Sequence, residues 1–138
     1  MSLPLLRPPS ADPTREFRLD LFPPAVPEIV GVLRRLLRDT LRGLGLDADP
    51  ACLILSELVT NALVHGVGAP AVVVELRGGR LHIAVSDASP APVARPAPDV
   101  SRTSGRGLDL VDALADEWGV ELIGSYGKAV WAISAVSV

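Results

Sequence analysis

This 138-residue chain has one cysteine, Cys52, so no intramolecular disulfide can form, and Cys52 is expected as a small buried hydrophobe. It has one lysine, Lys128, and two histidines, His65 and His82. Charged residues make up only 21%, which sets it apart from disordered polyelectrolytes. Thirteen Lys and Arg against sixteen Asp and Glu give a net charge of −3, without the basic surplus expected for direct nucleic-acid binding. The Pro-rich N-terminus lacks the long apolar run of a signal peptide or membrane span, so a cytoplasmic protein without a membrane partner is expected. What is abundant is apolar: 49% of residues are hydrophobic, enough for the core of one ordinary domain.

Residues 1–15 contain Pro4, Pro8, Pro9 and Pro13 and read as a flexible arm, leaving 16–138 as the domain. Phe17, Leu19 and Leu21 alternate with Arg18 and Asp20, a half-buried strand that Pro23 and Pro24 stop. From Glu28 the apolar residues recur at helical spacing until Gly43 and Gly45. Asp47-Ala48-Asp49-Pro50 opens a second helix with an Asp N-cap, and Gly66 and Gly68 close it. Ala71–Arg77 and Arg80–Asp87 alternate as strands around Gly78-Gly79, a hairpin signal. Residues 88–104, rich in Pro, Ala and Ser, form a long loop. A helix over Leu108–Trp118 and strands at Glu121–Ile123 and Val130–Val136 complete the pattern. This order predicts an α+β fold: a two-layer sandwich with a mixed, mostly antiparallel sheet covered on one face by three helices. His82, Ser86, Glu75 and Arg77 fall on the opposite face.

Four features carry chemistry. Glu57, Asn61 and His65 stand at i, i+4 and i+8 on the second helix; each step drifts about 40°, so they form one stripe. The stripe is either an exposed helix face or a cavity lining. In a cavity, Glu is a base, Asn ligates a hard cation through its carbonyl oxygen, and His donates to phosphate. Asp87 continues the core-facing register of Leu81, Ile83 and Val85, which is costly unless it meets a donor such as an adenine amino group; otherwise it caps the strand. Ser104-Gly105-Arg106-Gly107-Leu108 opens a helix whose amides, with Arg106, suit an anion, or it is a plain turn. No lysine follows in the Walker pattern, so it is not a P-loop. Lys128 either reaches a ligand or is solvated at a strand start.

In order and combination these motifs resemble the GHKL (Bergerat-fold) ATPase superfamily, and within it the anti-sigma-factor serine/threonine kinases. Glu57-Leu58-Val59-Thr60-Asn61-Ala62 with His65 is similar to the N-box. Val85-Ser86-Asp87 is similar to the start of the G1 box, Gly105-Arg106-Gly107-Leu108 to the G2 box, and Gly127-Lys128-Ala129-Val130-Trp131 to the closing hairpin. The resemblance implies ATP and Mg²⁺ as cofactors, with Asn61 on the metal, Glu57 as general base and Asp87 on the adenine amino group. It implies that residues 88–104 form the lid, that Gly105 and Gly107 bring amides to the phosphates, and that His65, Arg106, Leu108 and Lys128 lie at the nucleotide. The G1 box departs from the family pattern: Ser89 and Ala91 hold its two glycine places.

Two functions follow from the resemblance. One is a kinase that phosphorylates a Ser or Thr of an anti-anti-sigma antagonist and sequesters a sigma factor. The other is a non-catalytic or weakly nucleotide-binding module that holds a regulatory protein, which the Ser89 and Ala91 departures favour. An orphan histidine kinase is disfavoured, because both histidines lie inside the ATP domain. A homodimer through the sheet face carrying His82 is a further expectation.

Overall fold

The computed structural model describes residues 15–89, 107–124 and 127–138. The elements run β1 (Phe17–Leu21), α1 (Ile29–Gly43), α2 (Asp49–His65), β2 (Ala71–Arg77), β3 (Arg80–Asp87), α3 (Gly107–Leu114), β4 (Glu117–Ile123) and β5 (Gly127–Ala135). The strands form one sheet in the order β1-β2-β3-β5-β4. All four pairings are antiparallel, so the expected sandwich is present and its sheet, where a mixed one was expected, is antiparallel throughout the described strands.

Alternation sends one set of side chains from the central strands into the core. Val72, Val74 and Leu76 of β2 and Leu81, Ile83 and Val85 of β3 are buried, while Glu75, Arg77 and His82 occupy the other face. Gly78 and Gly79 both have positive φ, the two-residue turn that a hairpin closed by Arg77 and Arg80 requires. Leu33, Leu37 and Leu41 supply the buried stripe of α1. α2 is different: Ala51, Cys52, Ile54, Leu55, Ser56, Leu58, Val59 and Ala62 are all buried, because α2 packs against α1, α3 and the sheet. Glu57 and Asn61 are therefore polar interruptions in a helix that is mostly core.

Several boundaries differ from expectation. The N-cap of α2 is Ala48, with no side-chain cap bond; the Asp47 carboxylate instead accepts the Asp49 amide at 3.1 Å. α3 ends at Leu114, and Trp118 belongs to β4. Ala115 N–H still returns to the Val111 carbonyl, but Asp116 N–H already donates to Ile133 of β5, so pairing with β5 takes the chain out of the helix. β5 starts at Gly127, which brings Lys128 into register with Asp87. Most of the proposed arm and the loop beyond Ser89 lie outside the described residues; Arg15 donates to the Leu44 carbonyl at 2.6 Å. No described helix is long and apolar enough to cross a membrane.

Candidate functional site

Asp87 ends β3 on its core-facing side, as the alternation predicts, and its side chain is 3% exposed. A carboxylate so placed needs donors. Oδ1 accepts the Ser89 amide at 2.7 Å, and the Lys128 ammonium lies 3.5 Å from the same oxygen. Lys128 is the cross-strand neighbour of Asp87 on the same face, and its side chain is 4% exposed. It is not the solvated lysine that its type favours. No described group donates a hydrogen bond to Oδ2.

Oδ2 faces the end of α2. A Cβ built on Gly66 would lie 2.7 Å from Asp87 Cγ and 2.8 Å from Oδ2, so only a residue without a side chain lets the helix end approach the carboxylate. A second tie joins the same two segments, where Ala88 N–H donates to the Val67 carbonyl at 3.0 Å. Gly127 is held by a similar approach: its Cβ would lie 2.8 Å from the Asp87 carbonyl oxygen. The stop signal at Gly66 was legible in the sequence, but its role as the seat of Asp87 was not. Nor was the amide of Ser89, a glycine place in the family pattern, legible as a donor to the carboxylate.

Along α2 the polar stripe leads away from this point. At 1.5 Å per residue, Asn61 lies about 7.5 Å and Glu57 about 13.5 Å from Gly66 along the axis. Both are half-buried, and neither makes a side-chain hydrogen bond with a described residue. His65 is exposed. Two steps of about 40° account for the difference, since they turn His65 roughly 80° away from Glu57. α2 thus presents an amide and a carboxylate at increasing distance from a buried acid.

Gly107 begins α3, and Leu108 is part of the apolar core; Gly105 and Arg106 lie outside the described residues. Cys52 is buried as expected, with Sγ 3.6 Å from the Arg34 carbonyl, and burial pushes its thiol above the ordinary range. A separate depression of about 540 Å³ lies on the open sheet face, floored by Val73, Ala84 and Trp131 and rimmed by Arg18, Glu75 and His82. It is remote in kind from the first site, because it faces away from the helices.

The described chain is thus an antiparallel sheet backed by three helices, with the helix that carries Glu57 and Asn61 ending against the strand-terminal Asp87. The chain belongs to the histidine kinase-like ATPase domain family, whose sequence profile matches residues 23–133. It is 42% identical over 72 residues to an uncharacterized protein of Streptomyces coelicolor, covering 49% of this chain and 69% of that protein. Its fold is similar to the crystal structure of the RsbU and RsbW domains of Rv1364c from Mycobacterium tuberculosis, with a TM-score of 0.67 over 88% of this chain at 23% identity. The chain spans 33% of the length of that structure.

Proposed function

We propose that this protein binds Mg·ATP along α2, with the base at Asp87, and transfers the terminal phosphoryl group to a serine or threonine of an anti-anti-sigma antagonist. A sigma factor is its second, alternative partner. The observation that carries this reading is the junction at Gly66. It seats a buried carboxylate, one oxygen of which no described group occupies, at the end of a helix bearing Asn61 and Glu57.

Asp87 Oδ2 accepts the exocyclic amino group of adenine. Asn61 offers its carbonyl oxygen to Mg²⁺. One protein oxygen suits this ion, which keeps several waters and takes phosphate oxygens as its other ligands. Among the described residues no cluster of three His, Cys, Asp or Glu forms a protein cage, and that donor set does not require one. When bound, the metal neutralises charge on the phosphates, the main requirement of phosphoryl transfer besides positioning. Glu57, furthest from the base-binding end, takes the proton of the acceptor hydroxyl. Gly105, Arg106 and Gly107 supply donors to the phosphates, His65 stands at the rim, and Leu108 anchors the start of α3. A phosphate added to the antagonist brings about −2 charge to the interface and releases it, leaving the protein free to hold the sigma factor. This reading puts the protein in the cytoplasm, with the open sheet face available for a second copy.

The test is transfer from γ-labelled ATP to a candidate antagonist by wild type and Glu57→Ala. The wild type labels the antagonist, and the variant binds ATP but labels it at least about a hundredfold more slowly, the usual contribution of a positioned base. Equal labelling by the variant removes Glu57 from that role.

A second reading, a non-catalytic module that holds a regulatory protein, is favoured by one observation: Ser89 and Ala91 stand where the resembled G1 box has its two glycines. Calorimetry separates the two, since this module gives no heat with millimolar Mg·ATP.

A further inference from the structure

The Lys128 ammonium is the one buried cation among the described residues. Burying a lysine is costly unless it is paired, so a reason is needed for its presence at the start of β5. Its contact is the 3.5 Å ion pair with Asp87 Oδ1, the oxygen that also takes the Ser89 amide. Both donors converge on one carboxylate oxygen, while the other is turned toward Gly66 and receives none from the described residues.

We infer that Lys128 is a positioning residue for base recognition: it pins Oδ1 of Asp87 and so leaves Oδ2 as a dedicated acceptor for a 6-amino purine. This rests on the nucleotide reading above, and it assigns Lys128 to the carboxylate instead of to the phosphates. The register supports the assignment. Lys128 lies directly across from Asp87, and Gly127 packs on the Asp87 backbone, so the lysine is held beside the carboxylate by the sheet itself. Without the ammonium, the buried carboxylate loses its counter-ion and turns out of this position. That turn removes the acceptor that distinguishes an amino group from an oxo group at the purine 6-position, while contacts to ribose and phosphates stay.

The experiment is titration calorimetry of the full chain with Mg·ATP and Mg·ITP, whose base carries an oxo group in place of the amino group. The proteins are wild type, Lys128→Met, Asp87→Asn and the Asp87→Asn/Lys128→Met double variant. Wild type binds ATP about tenfold or more tightly than ITP, the scale of one hydrogen bond to a charged acceptor. Lys128→Met brings the two within about threefold of each other by weakening ATP while ITP stays near its wild-type value. In the Asp87→Asn background, removing Lys128 changes neither affinity. The double variant carries neither buried charge, so it stays folded even if Lys128→Met does not, and thermal unfolding checks this. If Lys128→Met weakens ATP and ITP equally, or leaves the wild-type ratio intact, the inference is overturned while the nucleotide reading stands. A wild type that binds neither nucleotide overturns both.

Discussion

Replacing Gly66 with alanine puts a methyl carbon where the junction of α2 and β3 has no room. The Gly66 backbone is extended, with φ −87° and ψ 179°, a conformation any residue adopts. In open space such a substitution stabilises by about 0.4–1 kcal/mol by restricting the unfolded chain. Here the new carbon falls 2.7 Å from Asp87 Cγ, 2.8 Å from Oδ2 and against the Ala62 carbonyl. The Asp87 carboxylate cannot simply swing aside, because the Ser89 amide and Lys128 hold its other oxygen. Overpacking of this kind costs about 1–3 kcal/mol, so the sign of the usual glycine-to-alanine effect reverses. Chemical denaturation measures it, with Gly31→Ala as control. Gly31 lies inside α1, where an added methyl carbon meets no atom within 4 Å, and alanine there stabilises by about 0.5–1 kcal/mol. Affinity for Mg·ATP falls in Gly66→Ala and is unchanged in Gly31→Ala. A Gly66→Ala protein as stable as wild type would show that the carboxylate is not seated against the helix end.

Other sites give further outcomes. Asn61→Ala weakens Mg·ATP while leaving metal-free ATP binding nearly unchanged, read by calorimetry with and without Mg²⁺; equal losses under both conditions contradict a metal ligand. Ile54→Ala, in the fully buried face of α2, costs about 2–5 kcal/mol by denaturant unfolding, and a loss below about 1 kcal/mol means that α2 is not core. Gly119→Ala drives its Cβ to 2.8 Å from the Trp131 ring and costs about 1–3 kcal/mol, with a change in tryptophan fluorescence; an unchanged spectrum argues against that cross-strand contact. Cys52 binds its proton more tightly folded than unfolded, so its contribution to stability is complete below the ordinary thiol value and is lost as pH rises toward the raised one. Denaturation in alkali accordingly shows a downward slope that Cys52→Ala reduces.

Much of this molecule was legible one element at a time. Leu81, Ile83, Val85 and Asp87 alternate so regularly that the acid had to enter the core side of its strand, and it does. The strand pair around Gly78-Gly79 likewise needed only local chemistry. The boundary at Trp118 was not legible, because Leu108, Val111, Ala115 and Trp118 keep a helical spacing and all pack on the core. Only competition from β5 for the backbone of residues 117–123 ends the helix early. The partner of Asp87 was hidden for a similar reason: Lys128 is 41 positions away, and only the β3–β5 register brings the two together. The stripe Glu57, Asn61 and His65 was read as one face, but the packing of α2 keeps the first two half-buried and leaves the last exposed.

Where a nucleotide lies on this protein is read most directly by a Mg·ATP titration of isotopically labelled protein followed by amide NMR. The expected shifts are at Glu57, Asn61, Gly66, Asp87 and Ser89, with His82 and Ile133 on the open sheet face unmoved. Shifts confined to the open face, or none at millimolar Mg·ATP, contradict a site between α2 and Asp87.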